Sequence, residues 1–195
     1  MNRLHLAAMA AAVVLAAAAL TACGGSDDSS ADEDDITAAI DKAATSGDPA
    51  ACTDVQTANF NTQTAGGTAE QALKDCEQDA ANTAGDSVET TNIEVDGEAA
   101  TADVAFTGGQ LGGQTLDIAL VKDGDQWKLD KLNGFVEFDQ AALAASFVAQ
   151  LEQAPDIPPA TVACFKQQLE SGAEDQVQAL VLDPSSGEDL FAPCG

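Results

Sequence analysis

The feature that most constrains the fold of this chain is a change of hydrophobic period at Gly85. Before it, apolar residues recur every three or four positions, the spacing that lines one face of a helix. Ile36, Ile40 and Ala43 or Ala44 predict a helix over 36–46, stopped by Gly47. Asp48-Pro49 opens a second helix, with Asp48 as cap and Pro49 in the first turn; it carries Cys52 and Val55 and ends near Phe60. Residues 61–67 read as a polar turn. Thr68 then caps a third helix, in which Ala69, Leu73, Cys76 and Ala80 recur and Glu70 adds favourable first-turn charge. After Gly85 the period falls to two. Ile93 and Val95 lead into Asp96-Gly97, a type I′ turn signal. Ala100, Ala102, Val104 and Phe106 alternate with Thr101, Asp103, Ala105 and Thr107, and Leu116, Ile118 and Leu120 with Asp117, Ala119 and Val121. Asp123-Gly124 turns the chain again, leaving Trp127 and Leu129 inward and Lys128 and Asp130 outward. The pattern is an antiparallel meander with one buried face, against which the preceding helices pack.

Helical spacing returns over 138–153, with Leu143, Phe147 and Leu151 on one face, until Pro155, Pro158 and Pro159 break it. Two further helices follow. Residues 161–170 carry Cys164, Phe165 and Leu169 and end at Gly172; residues 174–182 carry Val177, Leu180 and Val181. A turn at 184–187 brings back Phe191-Ala192-Pro193-Cys194. A helical unit this small needs a covalent staple or a neighbour to pack on, so residues 137–195 read as an independent domain or as an extension of the first.

The N-terminus has a targeting character that is set aside from the fold. Arg3 and His5 precede an apolar run from Leu6 to Leu20, too short to span a bilayer comfortably as a permanent helix. Leu20-Thr21-Ala22-Cys23 follows directly and resembles the lipobox of bacterial lipoproteins. The resemblance implies removal of residues 1–22, a diacylglyceryl thioether on Cys23 and an acylated new amino terminus. It therefore implies a protein held by membrane lipid on the extracytoplasmic side. Beyond Cys23, residues 24–35 contain no apolar side chain larger than alanine and many acids. Such a segment reads as a flexible, self-repelling tether over 23–35.

Without residues 1–22 the chain has six lysines against 33 acids, a formal charge of −27. That field repels nucleic acid and argues against phosphate-rich ligands. The only histidine, His5, leaves with the leader, and no arginine, tyrosine or methionine remains. A Ser-His-Asp or Cys-His arrangement, or a histidine-containing zinc site, cannot be assembled. Glycosidase-like carboxylate pairs stay formally open, but among so many acids no pair stands out. Gly108-Gly109 and Gly112-Gly113, around Gln110 and Leu111, have the composition of a hairpin turn and not of a nucleotide loop. No catalytic residue and no metal ligand is assigned, and no cofactor beyond the lipid on Cys23.

Four cysteines remain: Cys52, Cys76, Cys164 and Cys194. An even count in an exported chain suggests two disulfides with three pairings open. Chain order and the apparent domain split favour Cys52–Cys76 and Cys164–Cys194, and the first would staple two packed helices.

Three helices followed by this sheet, ending in the run from Val121 to Leu129 with Gly124-Asp125-Gln126-Trp127-Lys128-Leu129, resemble the nuclear-transport-factor-2-like (cystatin-like) superfamily as found in small actinobacterial lipoproteins. The resemblance covers about 36–135. It implies an α+β fold in which N-terminal helices pack on a curved antiparallel sheet to form a cone over 36–136. Enzymes of that superfamily place acid–base residues, often an Asp-His pair, inside the cone, and that chemistry does not carry over to a chain without histidine. What remains is an apolar pocket lined by some of Val104, Phe106, Leu116, Ile118, Leu120, Trp127 and Leu129, or a core that these side chains simply fill. The sequence thus predicts a noncatalytic envelope lipoprotein whose domain binds a small apolar molecule, an envelope protein or wall material. The alternative is an assembly subunit docking through the C-terminal helices by way of Leu143, Phe147 and Leu151. A hydrolase or isomerase is a third, weaker reading.

Overall fold

The computed structural model describes residues 27–153 and 157–194. The proposed leader and Cys23 lie outside the described residues. Helix α1 spans Asp27–Thr45. The acidic stretch from Asp27 onward, predicted as tether, is therefore helical. Asp32, within this stretch, is bonded to the sheet through Lys122 and Trp127. Further along, Ile36, Ala39 and Ile40 are buried on the face that meets the sheet.

The second predicted helix is in fact two. Asp48 Oδ1 accepts the backbone N–H of Ala50 at 2.9 Å in the turn ahead of the helix. Helix α2 covers only Ala51–Asp54, and its N-cap is Ala50, without a side-chain cap bond, in place of the predicted Asp48. The chain then extends to meet a strand: Leu129 N–H donates to the carbonyl of Val55 and Thr57 N–H to the carbonyl of Leu129, both at 2.9 Å. The Thr57 hydroxyl accepts from Phe60 N–H and starts α3, Ala58–Ala65. Most of the predicted polar turn at 61–67 is thus helix, and Asn61 is buried with its Nδ2 donating to the Cys52 carbonyl. Thr68 caps α4, Ala69–Thr83, as predicted.

Strands β1 (Ser87–Asp96), β2 (Ala99–Thr107), β3 (Thr115–Asp123) and β4 (Gln126–Glu137) form an antiparallel meander in chain order. Val104 pairs with Leu116, Ala102 with Ile118, and Leu120 with Leu129. Their inward side chains, with Ile36, Ile40 and Phe60, build the main core. In β4 an irregularity at Asp130 breaks the alternation, so that Leu132 returns to the buried face. The predicted cone is not formed. The sheet is open, with β1 and β4 at its two edges and neither closed nor curled onto the other. The edge of β4 is met instead by 55–63: Gln63 Oε1 accepts from Leu132 N–H at 2.8 Å, and its Nε2 donates to the Leu132 carbonyl at 2.9 Å. Side chains occupy hydrogen-bonding groups that strand-to-strand closure would need.

The C-terminal part contains α5 (Gln140–Leu151), α6 (Pro159–Ser171), α7 (Glu174–Leu182) and the short α8 (Gly187–Phe191). Asp139 caps α5 through Ala142 N–H. Leu143, Ala144, Leu169, Val177 and Leu190 form a second buried cluster, and Val181 packs against both clusters. Gln114, itself buried in the sheet layer, exchanges two hydrogen bonds with the backbone of Asp139. The C-terminal helices are thus packed on the α+β body.

Candidate functional site

A cavity of about 430 Å³ lies between the helices and the sheet. Its floor is Phe106, Ile118, Leu129 and Leu132, and Ile40, Ala43 and Phe60 supply the apolar wall. These positions follow from the two periodicities: inward strand residues on one side, one stripe each of α1 and α3 on the other. Leu111 reaches it from the β2–β3 loop. That loop lies close to the start of β1: Gly109 has φ +63°, and a Cβ there would come within 2.8 Å of the Gly85 Cα. Glycine is therefore required at this contact. Around the mouth stand Gln56, Thr64, Gln110 and two carboxylates of α4, Asp75 and Asp79. The volume lies in the range of about 300–1,000 Å³ typical of small-molecule sites, and an apolar lining with a few polar groups is their usual composition. A second depression, of about 580 Å³ beside Cys52, Asn61, Leu73 and Lys128, is more open to solvent.

Of the seven residues predicted as pocket candidates, Phe106, Ile118 and Leu129 line the cavity. Val104, Leu116 and Leu120 are buried in the core below it. Trp127 is also buried, at 2% exposure, and does not line the cavity. Its Nε1–H donates to Asp32 Oδ1 at 2.9 Å, and the same oxygen accepts from Lys122 Nζ at 2.6 Å. Lys122 Nζ lies 5.4 Å from the Trp127 ring centroid, within cation–π reach. The Lys122 hydrogen bond, then the Trp127 one, hold the Asp32 carboxyl below its usual range against a smaller opposing effect of burial. Asp32 in turn raises the Lys122 ammonium above its ordinary value. This cluster fastens α1 to the β3–β4 hairpin. Sequence reasoning missed the contributions of Ile40, Phe60, Asp75 and Asp79, because they come from three helices whose mutual placement no local pattern encodes.

The disulfides join Cys52 to Cys76 and Cys164 to Cys194. The first links α2 to α4, and Cys76 itself borders the cavity. The second pins the C-terminus, where Phe191 stacks on Phe147 at 5.8 Å and meets Phe165 edge-on at 4.6 Å. Leu143 is buried in the second cluster and Phe147 is covered by Phe191, so the stripe predicted as a docking surface is largely used within the chain.

Comparison with models of known families, with curated proteins and with solved structures gives no match. The open sheet and this result together overturn the predicted membership of the nuclear-transport-factor-2-like superfamily, and no relative supports placing the chain in a lipoprotein family. Among the described residues no helix is long and apolar enough to cross a membrane. Nor do His, Cys, Asp and Glu side chains form, among the described residues, a group of three or more placed to hold a metal ion.

Proposed function

We propose that this chain is a noncatalytic binding protein of the cell envelope, tethered outside the membrane by a lipid on Cys23, with a small and largely apolar ligand held between sheet and helices. The cavity of about 430 Å³ is the observation that carries the binding role. A filled core leaves no such space, because protein interiors pack to crystal-like density. The apolar run Leu6–Leu20 followed directly by Leu20-Thr21-Ala22-Cys23 supports the anchor. The lack of histidine and arginine after His5 supports a role without histidine-based acid–base chemistry or an arginine anion clamp.

Intact-mass analysis of the protein extracted from its membrane tests the anchor. The expected mature species lacks residues 1–22 and carries lipid at Cys23, and a mature chain with a bare Cys23 overturns that part. Native mass spectrometry of the same preparation tests binding. A retained small molecule is expected, and Ala43→Phe, which places a ring in the cavity, should abolish its retention. Equal retention by a folded Ala43→Phe variant rejects this cavity as the site.

A further inference from the structure

We infer that the cavity selects an organic cation, a protonated amine carried on an apolar body, over neutral or anionic molecules of the same shape. The inference rests on the binding role proposed above and deepens it. The partly open cavity defines the site, and the groups at its mouth define which head group it takes. Asp75 and Asp79 lie one helical turn apart on α4 and both border the cavity. Residues four apart on a helix present neighbouring side chains, so two negative charges stand at one rim.

Neither charge is consumed by the fold. Among the described residues, the ion pairs are Lys42–Asp54, Lys122–Asp32, Lys128–Asp123 and Lys166–Glu170, and none involves Asp75 or Asp79. Below them the lining is apolar and includes the rings of Phe60 and Phe106. Ring faces attract cations as well as burying hydrocarbon. A ligand carboxylate or phosphate would meet two like charges at the rim and the field of a strongly acidic chain beyond it. A neutral head would gain nothing from either carboxylate. A protonated amine meets both carboxylates while its body fills the apolar floor.

The test uses the full chain in lipid nanodiscs, with empty nanodiscs as the blank, and equilibrium dialysis of 4-phenylbutylamine, 4-phenylbutanol and 4-phenylbutyrate. The three share one body and differ in the head. The amine should bind at least tenfold more tightly than the alcohol, and the carboxylate most weakly. Asp75→Asn/Asp79→Asn should bring the amine down to the level of the alcohol while leaving the alcohol unchanged, which also shows that the variant is folded. Glu89→Gln/Glu94→Gln, on the exposed edge strand, removes the same net charge away from the cavity and should leave all three affinities unchanged. An alcohol or carboxylate bound as tightly as the amine overturns the cation preference and leaves the binding role standing. Equal loss of amine affinity in the Glu89/Glu94 variant also overturns it, because the overall field and not the α4 pair would then be responsible. If no probe binds, this cavity fails as a binding site for such ligands and the preference fails with it.

Discussion

Asp32 shows how one side chain decides the state of a whole segment. Its surroundings are so acidic and so poor in apolar groups that they predict a tether. Yet one oxygen accepts from both Lys122 and Trp127, which ties the first turns of α1 to the sheet. The Asp32 carboxyl titrates below the 3.8 it would have in the unfolded chain. As pH falls, the unfolded chain takes up this proton first. The contribution is therefore complete above pH 3.8 and is lost as pH drops through the lower, folded value. The raised Lys122 value gives the mirror case: its contribution is complete below 10.5 and is lost as pH climbs past that point. Asp32→Asn should thus lower the melting temperature at neutral pH, with the gap to the parent closing below pH 3.8. Thermal melts of the two proteins across pH check this; a gap that persists unchanged in strong acid rules out the charge as its cause.

The elements differ in how openly they announce themselves. Helix α4 is legible because Thr68 marks its start and an apolar stripe marks its face. Helix α3 is not, since Asn61, Thr62, Gln63 and Thr64 have turn-like composition, and it forms because it covers the edge of β4. Gln63 is its main contact there, replacing a neighbouring strand at Leu132 with its own amide. Gln63→Ala leaves three backbone groups to find water, the Leu132 N–H and carbonyl and the Leu182 carbonyl, at about 1 kcal/mol for each hydrogen bond. Urea unfolding should show a loss of about 2–3 kcal/mol, and an unchanged midpoint would mean that solvent serves these groups equally well. Both disulfides join cysteines close in sequence, and the 24 residues from Cys52 to Cys76 and 30 from Cys164 to Cys194 give loops worth about 3–4 kcal/mol each on a chain-entropy account.

At the scale of the whole molecule, charge and packing act in opposite directions. A formal charge of −27 on the chain after residue 22 strains any folded state by self-repulsion. Four ion pairs are seen among the described residues, too few to offset it. Two buried clusters sharing Val181, and the Gln114–Asp139 clamp, hold the body and the C-terminal helices together. Raising NaCl from about 0.01 M to about 1 M shortens the screening length from about 30 Å to about 3 Å. Like-charge repulsion over the surface should fade more than the few short pairs weaken, so the melting temperature should rise. A flat or falling melting temperature would show that self-repulsion does not limit stability.

The order of helices, strands and helices was readable from the sequence, as were the inward face of the sheet, the Thr68 cap and the favoured cysteine pairs. These depend on spacing along the chain, and spacing is local: the period of a helix or strand and the short distance between paired cysteines need no knowledge of the rest. Three features were decided only in three dimensions: the open sheet in place of a cone, the docking of Asp32, and the meeting of α1, α3 and α4 around the cavity. Each depends on contacts between distant segments, such as 32 with 122 or 63 with 132. A carboxylate or an amide carries no sign in the sequence of which distant partner it will meet. For the same reason Trp127, the most conspicuous residue of the chain, is buried as an anchor for α1, while Asp75 and Asp79, two acids among 33, stand at the mouth of the cavity.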